Sequence, residues 1–289
     1  MMGSMVSFTL NDACMKAVAD ELPLAQAVFL RSAATTILML ILIRMLRAGF
    51  SKMSRRDRWL VRARNVTEVA TAYFFITALF NMPIANATAI MQALQLTVTL
   101  ASAVFLGQVI GWRRLTAILV GLSGVLLIVR PGLDGFNVYS LYVLAAVAMV
   151  TIRDVLSRKI SANVPTITIA LLNAVSVTIA FGLASIFIDW APLSSKAAVQ
   201  LGAASILIIG GYICAVSAMR VGEIAVVAPF RYTSLLAAML FGFVAFNEFP
   251  DGLTLIGAAI VVATGVYTFY REQRLAQHAA PPHPPKQDC

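Results

Sequence analysis

Phe8-Thr9-Leu10-Asn11-Asp12-Ala13-Cys14-Met15-Lys16-Ala17-Val18-Ala19-Asp20-Glu21-Leu22-Pro23 opens the chain and is echoed in its second half. Asp12 falls on Asp154, Lys16 on Arg158 and Pro23 on Pro165, each pair 142 positions apart. Both copies set an acid in an apolar helix, a base one turn later, and a proline at the start of the next helix. There its missing N–H is one that the first turn leaves unpaired anyway. The chain reads as a duplication.

Of 289 residues, 60% are hydrophobic and 12% charged, and the mean hydropathy is +0.86. That is too little polar material to coat a soluble globule of this size, so the chain belongs in a bilayer. Apolar runs long enough to span, roughly 17–25 residues each, recur at about 3–19, 24–46, 61–81, 83–106, 113–130, 137–160, 165–188, 196–219, 222–246 and 251–270, which predicts ten transmembrane helices. The first run lacks the basic leader and small-residue cleavage site of a signal peptide and contains Asn11, Asp12 and Lys16, so it is expected to stay in the mature chain.

The net charge of +9 resolves by position. Bases crowd the connections after the second, fourth, sixth and tenth runs, at Arg47 to Arg64, Arg113–Arg114, Arg158–Lys159 and Arg271–Arg274. Alternate connections, such as Asp20–Glu21 and Asn247 to Asp251, do not share this excess. By the positive-inside rule both termini lie in the cytoplasm. Nucleic-acid binding would need these bases on one folded face with aromatic platforms, and the pattern excludes it.

Five helices per half is an odd number, so the second copy enters the membrane from the opposite side. The expected fold class is therefore an all-α membrane protein, with ten transmembrane helices as two inverted five-helix repeats. Residues 1–132 form the first repeat, 133–271 the second, and 272–289 a disordered proline-rich cytoplasmic tail. Inverted repeats are a recurrent plan of secondary transporters, in which two bundles rock about a site near mid-membrane.

Several segments resemble the EamA family of the drug/metabolite transporter superfamily. They are Ala85 to Gly107, Gly121-Leu122-Ser123-Gly124-Val125 with Arg130-Pro131-Gly132, Ala228-Pro229-Phe230-Arg231-Tyr232-Thr233, Phe246 to Asp251, and Gly257-Ala258-Ala259. Asn11-Asp12…Lys16 and Pro229-Phe230-Arg231-Tyr232 look most like the subgroup of S-adenosylmethionine and riboflavin uptake carriers. The resemblance implies ten helices in two inverted repeats, in a bacterial inner membrane. Gln108 departs from it, standing where the first repeat usually has an acid, as Glu248 does in the second. Gln95 lies in a region that often has proline.

A charged side chain at a helix centre costs about 2.5–3.5 kcal/mol to insert and needs a partner. Asn11, Asp12 and Arg31 either contact substrate or form an ion-paired clasp, with Asp12 joined to Lys16 or Arg31. Arg153, Asp154 and Arg158 carry the same two options, Arg158 leaning toward a snorkelling anchor. Pro229 cannot donate to the carbonyl of Ala225, so the helix weakens just before Arg231 and Tyr232, a broken-helix site of the kind carriers use. Its alternative is a kink, with Arg231 paired to Asp154 or Glu68. Glu68, close to Tyr73, is placed to bind a cation or take up a proton, or to pair with Arg62 and Arg64. Gln92 and Gln95 share a face, for substrate or for interhelical hydrogen bonds. Tyr212 and Asn173 are weaker candidates.

The expected site is thus Asn11, Asp12, Glu68, Tyr73, Gln92, Gln95, Asp154, Tyr212, Arg231 and Tyr232, between the first, third, fourth, sixth, eighth and ninth helices. It would take a small polar organic metabolite, with the acids holding a cationic group, Arg231 a carboxylate, and Tyr73 or Tyr232 stacking on a ring. No cofactor or metal is expected: His278 and His283 sit in the tail, and no phosphate-binding glycine loop is present. Cys14, Cys214 and Cys289 suggest free thiols, and Trp59, Trp112 and Trp190 interfacial anchors. Export of amino acids or drugs by the same cycle is the alternative. A membrane-embedded enzyme lacks any intramembrane histidine or paired-carboxylate motif.

Overall fold

The computed structural model describes residues 1–45, 53–106, 111–131, 136–161, 163–221 and 228–279. Their regular structure is helical, with no strand among them. In order they form α1 (Met2–Ala17), α2 (Leu24–Met45), α3 (Arg55–Asn81), α4 (Ile84–Met91), α5 (Leu94–Leu106), α6 (Trp112–Val129), α7 (Tyr139–Arg158), α8 (Thr166–Ser185) and α9 (Ser195–Val221). A 3₁₀ turn (Ala228–Tyr232) then leads to α10 (Thr233–Phe246) and α11 (Gly252–Ala279).

Local chemistry sets most boundaries. Pro23, Pro83 and Pro165 stand immediately before α2, α4 and α8, so both members of the Pro23/Pro165 pair open helices. Ser54 caps α3 by accepting from the Asp57 N–H at 3.0 Å, which starts that helix six residues before the expected apolar run. Arg130 and Asn247 end α6 and α10 in the left-handed conformation, at φ 51° and 53°. Asn tolerates this well; Arg does so less readily, and Pro131 follows it.

Three expected boundaries are corrected. The run 83–106 is interrupted at Gln92–Ala93, where Ala93 N–H bonds to Ile90 O at 3.0 Å and Gln95 N–H to Gln92 O at 3.3 Å. These are three-residue bonds of a tightened turn rather than four-residue α bonds. The run 222–246 enters α10 through the 3₁₀ turn carrying Pro229; residues 222–227 lie outside the described ones. The last helix continues to Ala279, past the expected start of the tail, whose residues 280–289 lie outside the description.

Among the described residues five spans are long and apolar enough to cross a membrane: Leu24–Met45, Ile84–Phe105, Tyr139–Arg158, Thr166–Ser185 and Ser195–Ala215. The charged α1 and α3 are not among them. Packing runs mainly between the halves: α3 on α7, α6 on α11, α1 on α9 and α2 on α8. Contacts fix the directions. Glu68 meets Arg153 while Tyr73 meets Tyr142, so α3 and α7 are antiparallel. Ser4 bonds to Gly211 and Glu21 pairs with Lys196, making α1 and α9 antiparallel as well. Thr9 reaches Ser234 and Lys16 reaches Glu248, so α1 and α10 run parallel.

The α6–α11 crossing depends on glycine. A Cβ at Gly124 would meet the Gly257 carbonyl at 2.9 Å, and one at Gly257 would meet the Gly124 carbonyl at 2.6 Å. Only hydrogen fits at both positions, which lets the two backbones touch.

Candidate functional site

Inside the bundle most of the charged side chains gather in neighbouring groups within electrostatic reach of one another. Arg153 of α7 sits between two acids, its guanidinium 3.1 Å from Glu68 Oε2 of α3 and 2.8 Å from Asp154 Oδ1. On α1, Asn11 Nδ2 donates to Asp12 Oδ1 at 2.9 Å, and Arg31 of α2 donates to Asn11 Oδ1 at 3.3 Å. Asn11 and Arg31 are buried. Arg31 lies within electrostatic reach of both Asp12 and Glu68, so the α1–α2 group and the α3–α7 group neighbour one another without a direct bond between Arg31 and Glu68 among the described residues. Arg64 donates to Ser157 Oγ at 3.0 Å and feels Glu68, Arg153, Asp154 and Tyr212 of α9.

Arg231 comes from the 3₁₀ turn. It lies within electrostatic reach of Asp154 and Arg153, yet its Nε is buried without a hydrogen-bond partner. Among the described residues no carboxylate pairs with it directly, because Asp154 is engaged by Arg153. The two backbone interruptions meet here. Gln92, at the α4–α5 break, donates from Nε2 to Ser234 Oγ at 2.8 Å, and Ser234 Oγ donates to the Arg231 carbonyl at 2.9 Å.

Asn11, Asp12, Glu68, Asp154, Gln92 and Arg231 are thus brought into one region, and Tyr212 lies within electrostatic reach of Arg64 there. Gln95 follows Gln92 by one turn and is half-buried. Tyr73 lies apart: it is 46% exposed, and its ring joins Phe74 and Tyr142 along the α3–α7 seam. Tyr232 is buried against α11, its hydroxyl where a Cβ on Gly265 would stand. That position gives the ring to helix packing rather than to an open surface.

The expected pairings of these charges change. Glu68 pairs across the seam with Arg153 instead of with Arg62 or Arg64 on its own helix. Lys16 turns from Asp12 to Glu248. Arg153, Arg64 and Arg31 are the polar members outside the expected set; the signal for them was a base inside an apolar helix, which needs a partner wherever it comes from. Arg158, the sequence counterpart of Lys16, donates to Ser102 Oγ at 2.7 Å.

A separate cavity of about 800 Å³ opens at the end of the bundle that carries Asp20, Asn81, Lys196 and Glu248. Lys16 and Glu248 line it with Phe80 and Phe246. Cys14 and Cys214 are free thiols, and Cys289 and His283 lie outside the described residues. Trp59, Trp112 and Trp190 are 66%, 71% and 52% exposed, as interfacial rings would be. Among the described residues no cluster of three His, Cys, Asp or Glu could hold a metal ion.

The chain is 26% identical over 272 residues to the S-adenosylmethionine uptake transporter of Rickettsia conorii, covering 94% of this chain and 91% of that one. It is 25% identical over 271 residues to the transporter of the same name from Rickettsia bellii, covering 94% and 92%. Over 158 residues, 53% of this chain and 55% of the other, it is 32% identical to the pseudopaline exporter CntI of Pseudomonas aeruginosa. A solved crystal structure superposes with a TM-score of 0.60 at 22% identity, over 94% of this chain and 98% of that one. Residues 1–130 and 137–270 each match the EamA-like transporter family. The chain belongs to that family, within the drug/metabolite transporter superfamily.

Proposed function

We propose that the chain is a secondary carrier of the bacterial inner membrane that takes up a small, charged organic metabolite of the S-adenosylmethionine type by alternating access. The observation that carries this is the gathering of Asp12, Arg31, Glu68, Arg153, Asp154 and Arg231, drawn from both halves and flanked by two broken helices. Ionisable groups and irregular backbone inside a bundle are tolerated where they line a pathway, and they mark it.

The inverted repeat has two supports. Numbering each half's five helices in order, the pairs third-with-sixth and first-with-eighth exchange when the halves exchange, and second-with-seventh and fifth-with-tenth map onto themselves. The contact directions alternate, so α1 and its counterpart α7 run oppositely. Both termini are then cytoplasmic, and the 800 Å³ cavity faces outward.

In this scheme Asp12, Glu68 and Asp154 hold the cationic part of the cargo, and Arg231 receives its carboxylate through a charge-assisted hydrogen bond. Tyr212, Gln92 and Gln95 complete the polar lining, with Tyr73 and Tyr232 at its margin.

Counterflow of labelled S-adenosylmethionine in proteoliposomes tests the assignment, because a carrier exchanges while a channel or an enzyme does not. A melting screen against S-adenosylmethionine, riboflavin and amino acids identifies the ligand class, since a ligand that binds only the folded state raises the melting point. Arg231→Ala is expected to lower exchange roughly ten- to hundredfold, as loss of a charged hydrogen bond does, at unchanged membrane abundance. Loss of folded protein instead makes the residue structural. Export is the second reading, favoured by the 32% identity to an exporter over half the chain; uptake against efflux from whole cells separates the two.

A further inference from the structure

Lys16 and Glu248 belong to no part of the central network. The Lys16 ammonium lies 2.7 Å from Glu248 Oε1, donates to the Met82 carbonyl at 2.6 Å and sits 5.4 Å from the centre of the Phe246 ring. Glu248 Oε2 accepts the Ile84 N–H at 3.2 Å, at the opening of α4. The two side chains are 10% and 25% exposed, and both line the cavity of about 800 Å³. That volume falls within the range of small-molecule sites, about 300–1,000 Å³. Gln200 lines the same cavity, and its Oε1 is buried without a donor.

We propose that this vestibule is a second binding site, an entry subsite for a zwitterion, whose carboxylate pairs with Lys16 and whose ammonium pairs with Glu248. The inference rests on the transport reading for its role, though not for its chemistry. Each charge has the other as its principal partner, and removing one partner of a sheltered ion pair strands the other. A cation alone would displace Lys16 from Glu248 and leave the ammonium with the Met82 carbonyl and the Phe246 ring but no counter-charge. An anion alone would strand Glu248 in the same way. A molecule carrying both charges replaces both halves of the pair at once and leaves no charge uncompensated. Phe80 and Phe246 give it an apolar wall, and Gln200 Oε1 an acceptor for a further donor.

Cys14 lines the same cavity and is a free thiol, so it reports occupancy directly. In purified full-length protein carrying Cys214→Ser and Cys289→Ser, the rate of Cys14 labelling by a charged maleimide is measured with methionine, S-adenosylmethionine, and the decarboxylated amine of each. At ten times its dissociation constant a zwitterion is expected to slow labelling about tenfold, by simple occupancy, while the matching amines leave it unchanged. E248Q and K16Q should each abolish this protection. Should E248Q fail to fold, the double variant K16M/E248Q removes both charges together and should equally lose protection. Protection by amines as strong as by zwitterions, protection unaltered in the variants, or no protection by either zwitterion overturns the proposal. Counterflow with the same compounds keeps the two readings apart. Protection of Cys14 without exchange removes the carrier role and leaves the site, whereas exchange without protection removes the site and leaves the carrier.

Discussion

Arg153→Met is the substitution that bears most directly on the central network. Its guanidinium is 3.1 Å from Glu68 and 2.8 Å from Asp154, with the three side chains 25%, 21% and 32% exposed. At an effective dielectric of about 20, each contact is an attraction of roughly 5–6 kcal/mol. Most of that is offset by the cost of withdrawing the three groups from water. The net worth of the triad is therefore small, but the cost of breaking it is not: with Arg153 gone, two sheltered carboxylates lose the cation that contacts both. Losing one partner of a buried pair typically costs about 3–5 kcal/mol, and the partial exposure places this case toward the lower end. The assay is thermal unfolding of the detergent-purified protein, followed by loss of the monodisperse peak. The single variant is expected to melt well below wild type. The triple variant E68Q/R153M/D154N, which discharges all three positions, is expected to recover most of the loss, because contacting residues are strongly non-additive. If R153M melts like wild type, the triad holds nothing together. If the triple variant melts as low as the single, shape rather than charge is responsible, and the electrostatic account fails.

Gly265→Ala would drive its Cβ into the Tyr232 hydroxyl and set it 2.7 Å from the ring carbon that bears it. Overpacking of this kind costs about 1–3 kcal/mol; a lowered melting temperature that Tyr232→Leu restores is the expected result, and an unchanged one refutes the packing assigned to Tyr232. At the N-terminus of α3, ahead of its apolar part, Asp57 accepts hydrogen bonds from Ser54 Oγ and from the N–H and Oγ of Ser161, which hold its carboxyl below the ordinary value of 3.8. A carboxylate whose folded pKa is depressed contributes stability above its unfolded pKa and loses it as pH falls through the folded value. The melting gap between wild type and Asp57→Ala should thus be full at neutral pH and close below about pH 4; a gap that stays constant into acid contradicts this clasp. Arg231→Ala, with exchange lost and abundance kept, separates a cargo contact from a structural kink.

The fold was legible wherever a helix announces itself by composition. Ten apolar runs separated by charged breaks, and prolines at 23, 83 and 165, place most boundaries because a bilayer leaves a spanning segment few options besides helix. Pro229 was equally legible, since a missing N–H weakens any helix in which it sits. The interruption at Gln92–Ala93 was not. Ile90-Met91-Gln92-Ala93-Leu94-Gln95 holds neither proline nor glycine, and its residues are mostly sound helix formers. What accompanies the break is tertiary: the Gln92 amide reaches Ser234, 142 positions away.

The site divides along the same line. Hydropathy alone marks which ionisable groups lie inside the bundle, and so Asp12, Glu68, Asp154 and Arg231 were visible. Their partners were not, because local spacing competes with packing and here loses. Asp12 and Lys16 are a turn apart, the spacing that favours an ion pair along a helix, yet the flexible lysine stem carries its ammonium to the cavity and Glu248. Glu68 had arginines at 62 and 64 on its own helix, but positions four and six residues earlier do not put a guanidinium where Arg153 arrives from α7. Local pairs hold a helix that stands by itself. In a bundle built from two halves, charges that pair across the seam fix how the halves meet, and in the proposed carrier the same charges meet the cargo. On the proposed reading a single substitution at Arg153 should strain the assembly and the site together, and Arg231, with no direct carboxylate partner among the described residues, is the cation that receives the cargo's carboxylate.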